Sequence, residues 1–235
     1  MTDARASRAA SVGAPELSFD VAGHTVTVRP EVVVIAGYTG RDAAAVRHHV
    51  DELAAEGIAP PPQVPMYWAL PASVASQAPV VQALSAHSSG EVELVVVVEG
   101  EDAFVTLGSD HSDRHVERAD IAAAKAVGAS PLGREAWRLN DVAGRWDGIV
   151  LSSWLGDEAD PYQHDRADVN VPPEALLAAV PWPNGRVPFS YLLFCGTVPT
   201  LGGLRPHTRF RGEARRADGA TLELRYDVEV LALDL

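Results

Sequence analysis

The stretch 91–99, EVELVVVVE, constrains this chain more than any other. Its run Leu94, Val95, Val96, Val97, Val98 is dominated by β-branched residues, which fit a strand better than a helix. No polar residue interrupts the run, so the strand it predicts is buried on both faces. A second strand-like stretch, 103–107, follows Gly100-Glu101-Asp102, and the two read as a hairpin. A chain built around such a strand needs structure on each side of it.

The rest of the sequence supplies that structure. Residues 19–28 alternate around Gly23-His24 and predict a short hairpin, and 31–36 (EVVVIA) predict a buried strand. That strand runs into a Gly-flanked loop, Gly37 to Gly40. Asp42 then stands where an N-cap is needed for a helix over 43–56, which Gly57 and Pro60-Pro61-Pro62 end. Residues 60–79 are Pro-rich but carry Val64, Met66, Tyr67, Trp68 and Leu70, too apolar for a disordered linker, and read as an ordered extended segment. Ser88-Ser89-Gly90 reads as a turn, 113–127 as helical, and 146–154, 187–195 and 222–233 as later strands. Many short strands with two helices predict a mostly β domain of the α+β class. Its expected organisation is a disordered leader over 1–16, a small N-terminal arm over 17–60 and a catalytic body over 61–235.

Composition excludes several functions. Lys and Arg number 19 against 32 Asp and Glu, a net charge of −13 that argues against binding a phosphate backbone. The single cysteine, Cys195, rules out a disulfide framework and a thiolate zinc site. Leu192, Leu193 and Phe194 before it predict a buried strand with an inert thiol. No stretch approaches the ~20 apolar residues of a membrane span, and the first fifteen residues lack a signal-peptide core. The expectation is a cytoplasmic protein with neither nucleic-acid nor membrane partners. Five arginines within 205–216 read as a solvated, ion-paired face.

Glu91 and Glu93 are two apart, so on a strand they share a face. Like charges so placed are either solvated at the strand end or gathered around a cation. The second strand ends in Gly108-Ser109-Asp110-His111-Ser112-Asp113-Arg114, and a hairpin returns this acidic turn to the glutamates. Three converging carboxylates form an oxygen-rich site suited to magnesium, manganese or calcium. His111 is either a further ligand or a turn histidine bonded to backbone. Asp113 either pairs with a neighbouring arginine, starts the next helix, or replaces Asp110 as third ligand.

These residues resemble a known family. Residues 91–97 (EVELVVV) are similar to the "EvELavVi" strand of the fumarylacetoacetate hydrolase superfamily. Upstream, Gly37-Tyr38 with His49-Val50-Asp51-Glu52-Leu53 resembles its "GrNYadHaaEl" stretch, and Pro62, Pro65, Tyr67 and Pro71 resemble "P..P.lF.Kp". Downstream, Asp110 to Arg114 resembles "NDvSaRD". Lys125 stands before a Pro-containing turn, Gly128 to Gly133, like that family's "cPlGP", and Gly196-Thr197-Val198-Pro199 with Gly202-Gly203 resembles its "GTPaGvG" loop. The resemblance spans about residues 31–205, in the family's order, and is to an uncharacterised bacterial branch.

The resemblance implies a mixed β-sandwich roll of the fumarylacetoacetase C-terminal-domain type, usually a homodimer. It implies Glu91, Glu93 and Asp110 as ligands of Mg2+, Mn2+ or Ca2+. It implies catalytic roles for His49, Glu52 and Lys125, and substrate contacts from Arg41, Tyr67, Gln163 and Thr197. His49 and Glu52 are three apart and share a helical face, where their alternative is plain solvent exposure; His48 with Asp51 has the same spacing. The implied reaction is metal-dependent hydrolysis of a C–C bond in a small acylpyruvate-like 2-oxo or 1,3-dioxo acid. Decarboxylation, dehydration or isomerisation at the same metal is the alternative, and non-catalytic ligand binding is another. The sequence departs from the pattern at three places. Only 17 residues separate Glu93 from Asp110, the "SaRD" element is compressed, and the lysine of "F.Kp" is replaced by Trp68, Ala69 and Leu70 between Tyr67 and Pro71.

Overall fold

The computed structural model describes residues 13–55 and 60–231, and the side chains of His49, Glu52, Leu53 and Ala55 lie outside that description, as do residues 1–12 of the expected leader. Along the chain, β1 (Leu17–Val21) and β2 (His24–Val28) form the expected hairpin. Its turn sits at Ala22-Gly23, both at positive φ, as a two-residue connection of right-handed strands requires. Strand β3 (Val32–Gly37) leads through the Gly-flanked loop to α1 (Ala43–Ala55), whose start Asp42 caps by accepting from the amides of Ala44 and Ala45 at 2.8 and 3.2 Å.

The Pro-rich segment is ordered, as β4 (Met66–Pro71), a 3-10 turn (Ala72–Val74), β5 (Ala75–Ser76) and β6 (Val80–Ala83). Ser88-Ser89 is not a turn. It forms β7 (Ser88–Ser89), paired with β10 (Ser112–Asp113) around the hairpin of β8 (Val92–Glu99) and β9 (Asp102–Ser109). The helical stretch after it is broken into α2 (Arg114–Glu117) and α3 (Ile121–Ala126), because Asp120 turns extended and caps a new helix through the Ala123 amide. There follow β11 (Ser130–Arg138), α4 (Leu139–Val142), β12 (Ile149–Leu155), β13 (Gln163–Arg166), α5 (Pro173–Ala179), β14 (Ser190–Thr197), β15 (Arg209–Arg216) and β16 (Thr221–Val230).

Among the described residues the strands make a nine-stranded sheet in the order β2-β1-β11-β9-β8-β14-β3-β4, with β5 beside β11, and a five-stranded sheet in the order β13-β12-β15-β16-β6. Strand β8 lies inside the larger sheet. Its even residues Val92, Leu94 and Val96 join a core shared with β12, β15 and β16, while Val95 and Val97 join a second core of β1, β3, β9, β11 and β14. The nine-stranded sheet therefore has one face on the smaller sheet and curls its other face around itself, which is why β8 needs no polar alternation. Segment 17–60 contributes β1 to β3 to this same sheet, with β3 parallel to β14 and β1 parallel to β11. The architecture is the expected α+β roll.

Candidate active site

The β8–β9 register creates the carboxylate cluster. Val92 faces Ser109 and Glu93 faces Gly108, so the residues just beyond the strand ends, Glu91 and Asp110, meet across the mouth. Asp110 N donates to Glu91 O at 3.0 Å, and Glu91 N donates to Ser109 Oγ at 3.2 Å. The short spacing between Glu93 and Asp110 is thus a tight hairpin that returns the chain on itself.

On the other flank of β8, its pairing with β14 is irregular between Phe194 and Thr197. Side chains stand in for the missing ladder. Val92 N donates to Gln163 Oε1 at 2.8 Å, and Thr197 Oγ1 donates to Val92 O at 2.8 Å. Gln163 Nε2 donates onward to Thr197 Oγ1 and Val198 O, at 2.8 and 2.7 Å, and its Oε1 also accepts from Ser153 Oγ at 2.8 Å. Both polar ends of Gln163 and the Thr197 hydroxyl are thereby engaged in holding the residue between the two glutamates. The resemblance implies substrate contact for both; their side chains bond to each other, to Val92, to Ser153 and to Val198.

Each carboxylate has its own partner. Glu93, 2% exposed, accepts from Gly196 N at 2.9 Å. Glu91 accepts from Arg114 Nη2 at 2.8 Å, and Arg114 also donates to Glu117 at 2.8 Å and Ser89 Oγ at 2.7 Å. Asp110 forms a buried ion pair with Lys125, which α3 delivers from its last turn. Asp113, the competing candidate, caps α2 through the amides of His115 and Val116 and accepts from Ser85 Oγ at 2.6 Å. Its lone pairs are committed.

Electrostatics separates the three acids. Burial, then the neighbouring Asp110 charge, push the Glu93 carboxyl well above its ordinary value, against the pull of Lys125 and the Gly196 amide. Burial would also raise Asp110, but the Lys125 charge and hydrogen bond, with Arg114 and Ser112, bring it below its ordinary value. Lys125 answers in kind: burial lowers it, yet Asp110, Glu117 and Glu93 hold it above the usual ammonium range. His111, beside Asp110, faces elsewhere. Burial, with Arg114, lowers it to about 4, and its Nδ1 lies 3.1 Å from Tyr226 Oη.

Among the described residues, no three His, Cys, Asp or Glu side chains stand together in metal-holding geometry, since Glu91 and Asp110 turn to their cations. The donor chemistry nevertheless fits a hard divalent ion. Four carboxylates (Glu91, Glu93, Asp110, Glu117) face two cations (Arg114, Lys125), an excess of 4 − 2 = 2 negative charges. Burial and then the Asp110 charge raise Glu93, and oxygen donors are those such an ion takes.

The remaining candidates are dispersed. Arg41 donates to Asn170 O at 2.8 Å and approaches Asp147 at 3.5 Å. Its loop is tied to the site through Asn170, which accepts from Thr39 Oγ1 at 2.9 Å and donates to Thr197 O at 2.8 Å. Tyr67 donates to Leu176 O at 3.1 Å and packs on the inter-sheet core, away from the carboxylates. Its neighbour Trp68 takes the other face of β4, with its ring centroid 5.6 Å from Lys125 Nζ. His49 and Glu52 lie on α1, and their side chains fall outside the described residues. Sequence reasoning missed Arg114 as the Glu91 partner, although its spacing to Glu117 was a signal. It also missed Trp68, which strand alternation would have separated from Tyr67.

Known proteins place this geometry. The model of a family described as "Protein of unknown function (DUF2848)" matches residues 36–226. No curated protein matches the chain significantly. Among solved structures, a protein from Oleispira antarctica, provisionally named a fumarylacetoacetate isomerase/hydrolase, is 19% identical, with TM-score 0.68, covering 90% of this chain and 99% of its own. Fumarylpyruvate hydrolase from Pseudomonas aeruginosa, in complex with Mn2+ and pyruvate, is 17% identical, with TM-score 0.59 and coverage of 94% and 100%. 5-Carboxymethyl-2-hydroxymuconate delta-isomerase from Mycobacterium smegmatis is 16% identical, with TM-score 0.59 and coverage of 90% and 85%. These likenesses establish the fold.

Proposed function

Since this chain belongs to the DUF2848 family and has the fold of the fumarylacetoacetate hydrolase-type proteins, we propose that it is a metal-dependent enzyme hydrolysing a C–C bond in a small acylpyruvate-like oxo-acid. One observation carries the reading. Buried Glu93 lies beside Asp110 and Glu91 at the mouth of the roll, and burial first, then those charges, push its carboxyl well above its ordinary value, an arrangement that a divalent cation relieves.

Glu91, Glu93 and Asp110 would hold the ion. Bound there, it supplies a Lewis acid for the chelated 2-oxo group. The chain's residues do the rest. Lys125, when Asp110 turns to the ion, presents a buried ammonium to the oxygen on which negative charge develops, where low polarity strengthens the interaction. Glu117 stays beside Lys125 and favours its charged form. Gln163 and Thr197 fix the backbone between the two glutamates, so that their carboxylates are positioned before substrate arrives. His49 with Glu52, three residues apart on α1, is the pair assigned to take a proton from water. The soluble setting and the homodimer expected from the sequence belong to this reading; no described helix is long and apolar enough to cross a membrane.

The test is elemental analysis of the purified protein, then pyruvate release over a panel of acylpyruvates. Stoichiometric divalent metal with metal-dependent pyruvate release is expected; tight metal with no turnover of any oxo-acid favours the binding-protein reading. A structure named for an isomerase shares the fold, so the same site without a water-activating pair would serve isomerisation or decarboxylation. His49→Ala decides between them: hydrolysis needs His49, and unchanged turnover removes it from the mechanism.

A further inference from the structure

An aromatic wall stands beside the carboxylate cluster, and no step above uses it. Trp68 and Tyr38 are both partly buried, with ring centroids 6.3 Å apart and planes at 47°. Trp68 approaches Lys125 at 5.6 Å, so the wall begins where the ion pair ends. The backbone is shaped for it. Gly37 lies under the Trp68 ring, which already fills the space a Cβ would need, with Trp68 Cη2 at 2.8 Å from that point. Tyr38 follows with φ of 56°, a left-handed conformation that a bulky residue rarely adopts and that turns its ring to the same side as Trp68.

Among the described residues, three cations of the site are already engaged. Arg114 is held by Glu91 and Glu117, Lys125 by Asp110, and Arg41 by the Asn170 carbonyl and Asp147. When a divalent ion draws Asp110 away, Lys125 is released toward the reacting oxygens rather than toward a distal group. A second carboxylate on the substrate would meet two aromatic faces, with Arg114 and Arg41 already paired, which disfavours it.

We infer that the substrate is a monocarboxylic oxo-acid whose distal substituent is a flat, uncharged ring or conjugated group, packed against the wall that Trp68 and Tyr38 form. This rests on the metal-site reading above. The distal group enters no bond-making step; the wall sets which acid is accepted and how its oxo group is aimed at Lys125.

The test is calorimetric binding to the Mg2+-loaded full chain of three non-hydrolysed acids: oxalate, phenylpyruvate and oxaloacetate. Phenylpyruvate should bind about tenfold or more tightly than oxaloacetate. Trp68→Ala should abolish that preference and Trp68→Phe should keep most of it, with thermal melting verifying that each variant folds; Tyr38→Ala supplies a second reading should Trp68→Ala not fold. Oxaloacetate binding as tightly as phenylpyruvate, with oxalate binding normally, overturns this inference alone. Oxalate failing to bind overturns it together with the proposed metal site. A phenylpyruvate preference that survives removal of both rings also overturns it.

Discussion

Asp110 and His111 are adjacent, both nearly inaccessible, and held in opposite charge states. Asp110 faces Lys125, Glu93 and Ser112 and stays ionised below its ordinary value. His111 faces Tyr226 and His207, whose ring is 5.6 Å away, and stays neutral, with His207 itself lowered to about 3 chiefly by burial. Alternation along an extended segment sends the two side chains to opposite sides. One side supplies counter-charge; the other supplies aromatic rings and hydroxyls. Burial raises the energy of both charged forms, and only the neighbours decide which group keeps its charge. A reactive centre and its inert support are one residue apart.

The comparison breaks most severely if the counter-charge is removed. Lys125→Met should destabilise the metal-free protein by about 3–5 kcal/mol, because buried Asp110 and Glu93 lose their cation. Urea unfolding measures this, and a divalent ion at about a hundred times its Kd should return about 2.7 kcal/mol. A smaller return would mean that the carboxylates do not share an ion.

Acid titration of stability sharpens the contrast next. His111 has an unfolded value of 6.5 and a folded value of about 4, so between those values the unfolded state binds the extra proton and stability falls as pH falls, by roughly 3 kcal/mol in all. Asp110 acts in a lower window: its contribution is complete above 3.8 and disappears as pH falls through its depressed folded value. His111→Leu should reduce the upper limb of a stability-against-pH curve, leaving the part that His207 carries, and leave the lower limb in place.

Glu93→Gln separates stability from function. The amide oxygen can still accept from Gly196 N, and a neutral group relieves the crowding of Asp110 and Glu91, so urea unfolding of the metal-free protein should shift by only about 1 kcal/mol. Metal affinity should fall at least tenfold by calorimetry. The smallest effect belongs to the support. Tyr226→Phe removes hydroxyl contacts to Ser109 at 3.0 Å and His111 at 3.1 Å, at a cost of about 1–2 kcal/mol, and leaves metal affinity within about twofold.

How legible this was depended on residue size and on distance along the chain. Strand β8 was plain because valines announce burial, and the paired glutamates at its entrance were plain because their spacing is local. Arg205, Arg209, Arg215 and Arg216 are ion-paired as expected, but strand β15 itself was not legible, since its inward residues include only Gly212 and Ala214 beside Phe210, too small to raise a pattern; Val92 and Leu107 fill the space that Gly212 leaves. Strand β11 was read as a turn because of Pro131 and Gly133. The helical stretch 113–127 hid its break because Asp120 reads as any surface acid until its cap bond is seen. Gln163 and Thr197 were singled out, yet their roles depend on contacts to Val92 across 71 and 105 residues. Such contacts leave no local trace.

Gly196 sits at the irregular step of β14 with φ of 92°, and a Cβ there would strike Thr39. Thr39 is hydrogen-bonded to Asn170, Asn170 to the carbonyls of residues 196 and 197, and the amide of 196 to Glu93. Drift at this one position therefore has no small steps: even alanine would demand simultaneous changes in the loop before α1, in residue 170 and in the acid that Gly196 holds. The site is inherited whole or lost whole, while Trp68 beside it, on the edge strand β4, is outside this chain of contacts.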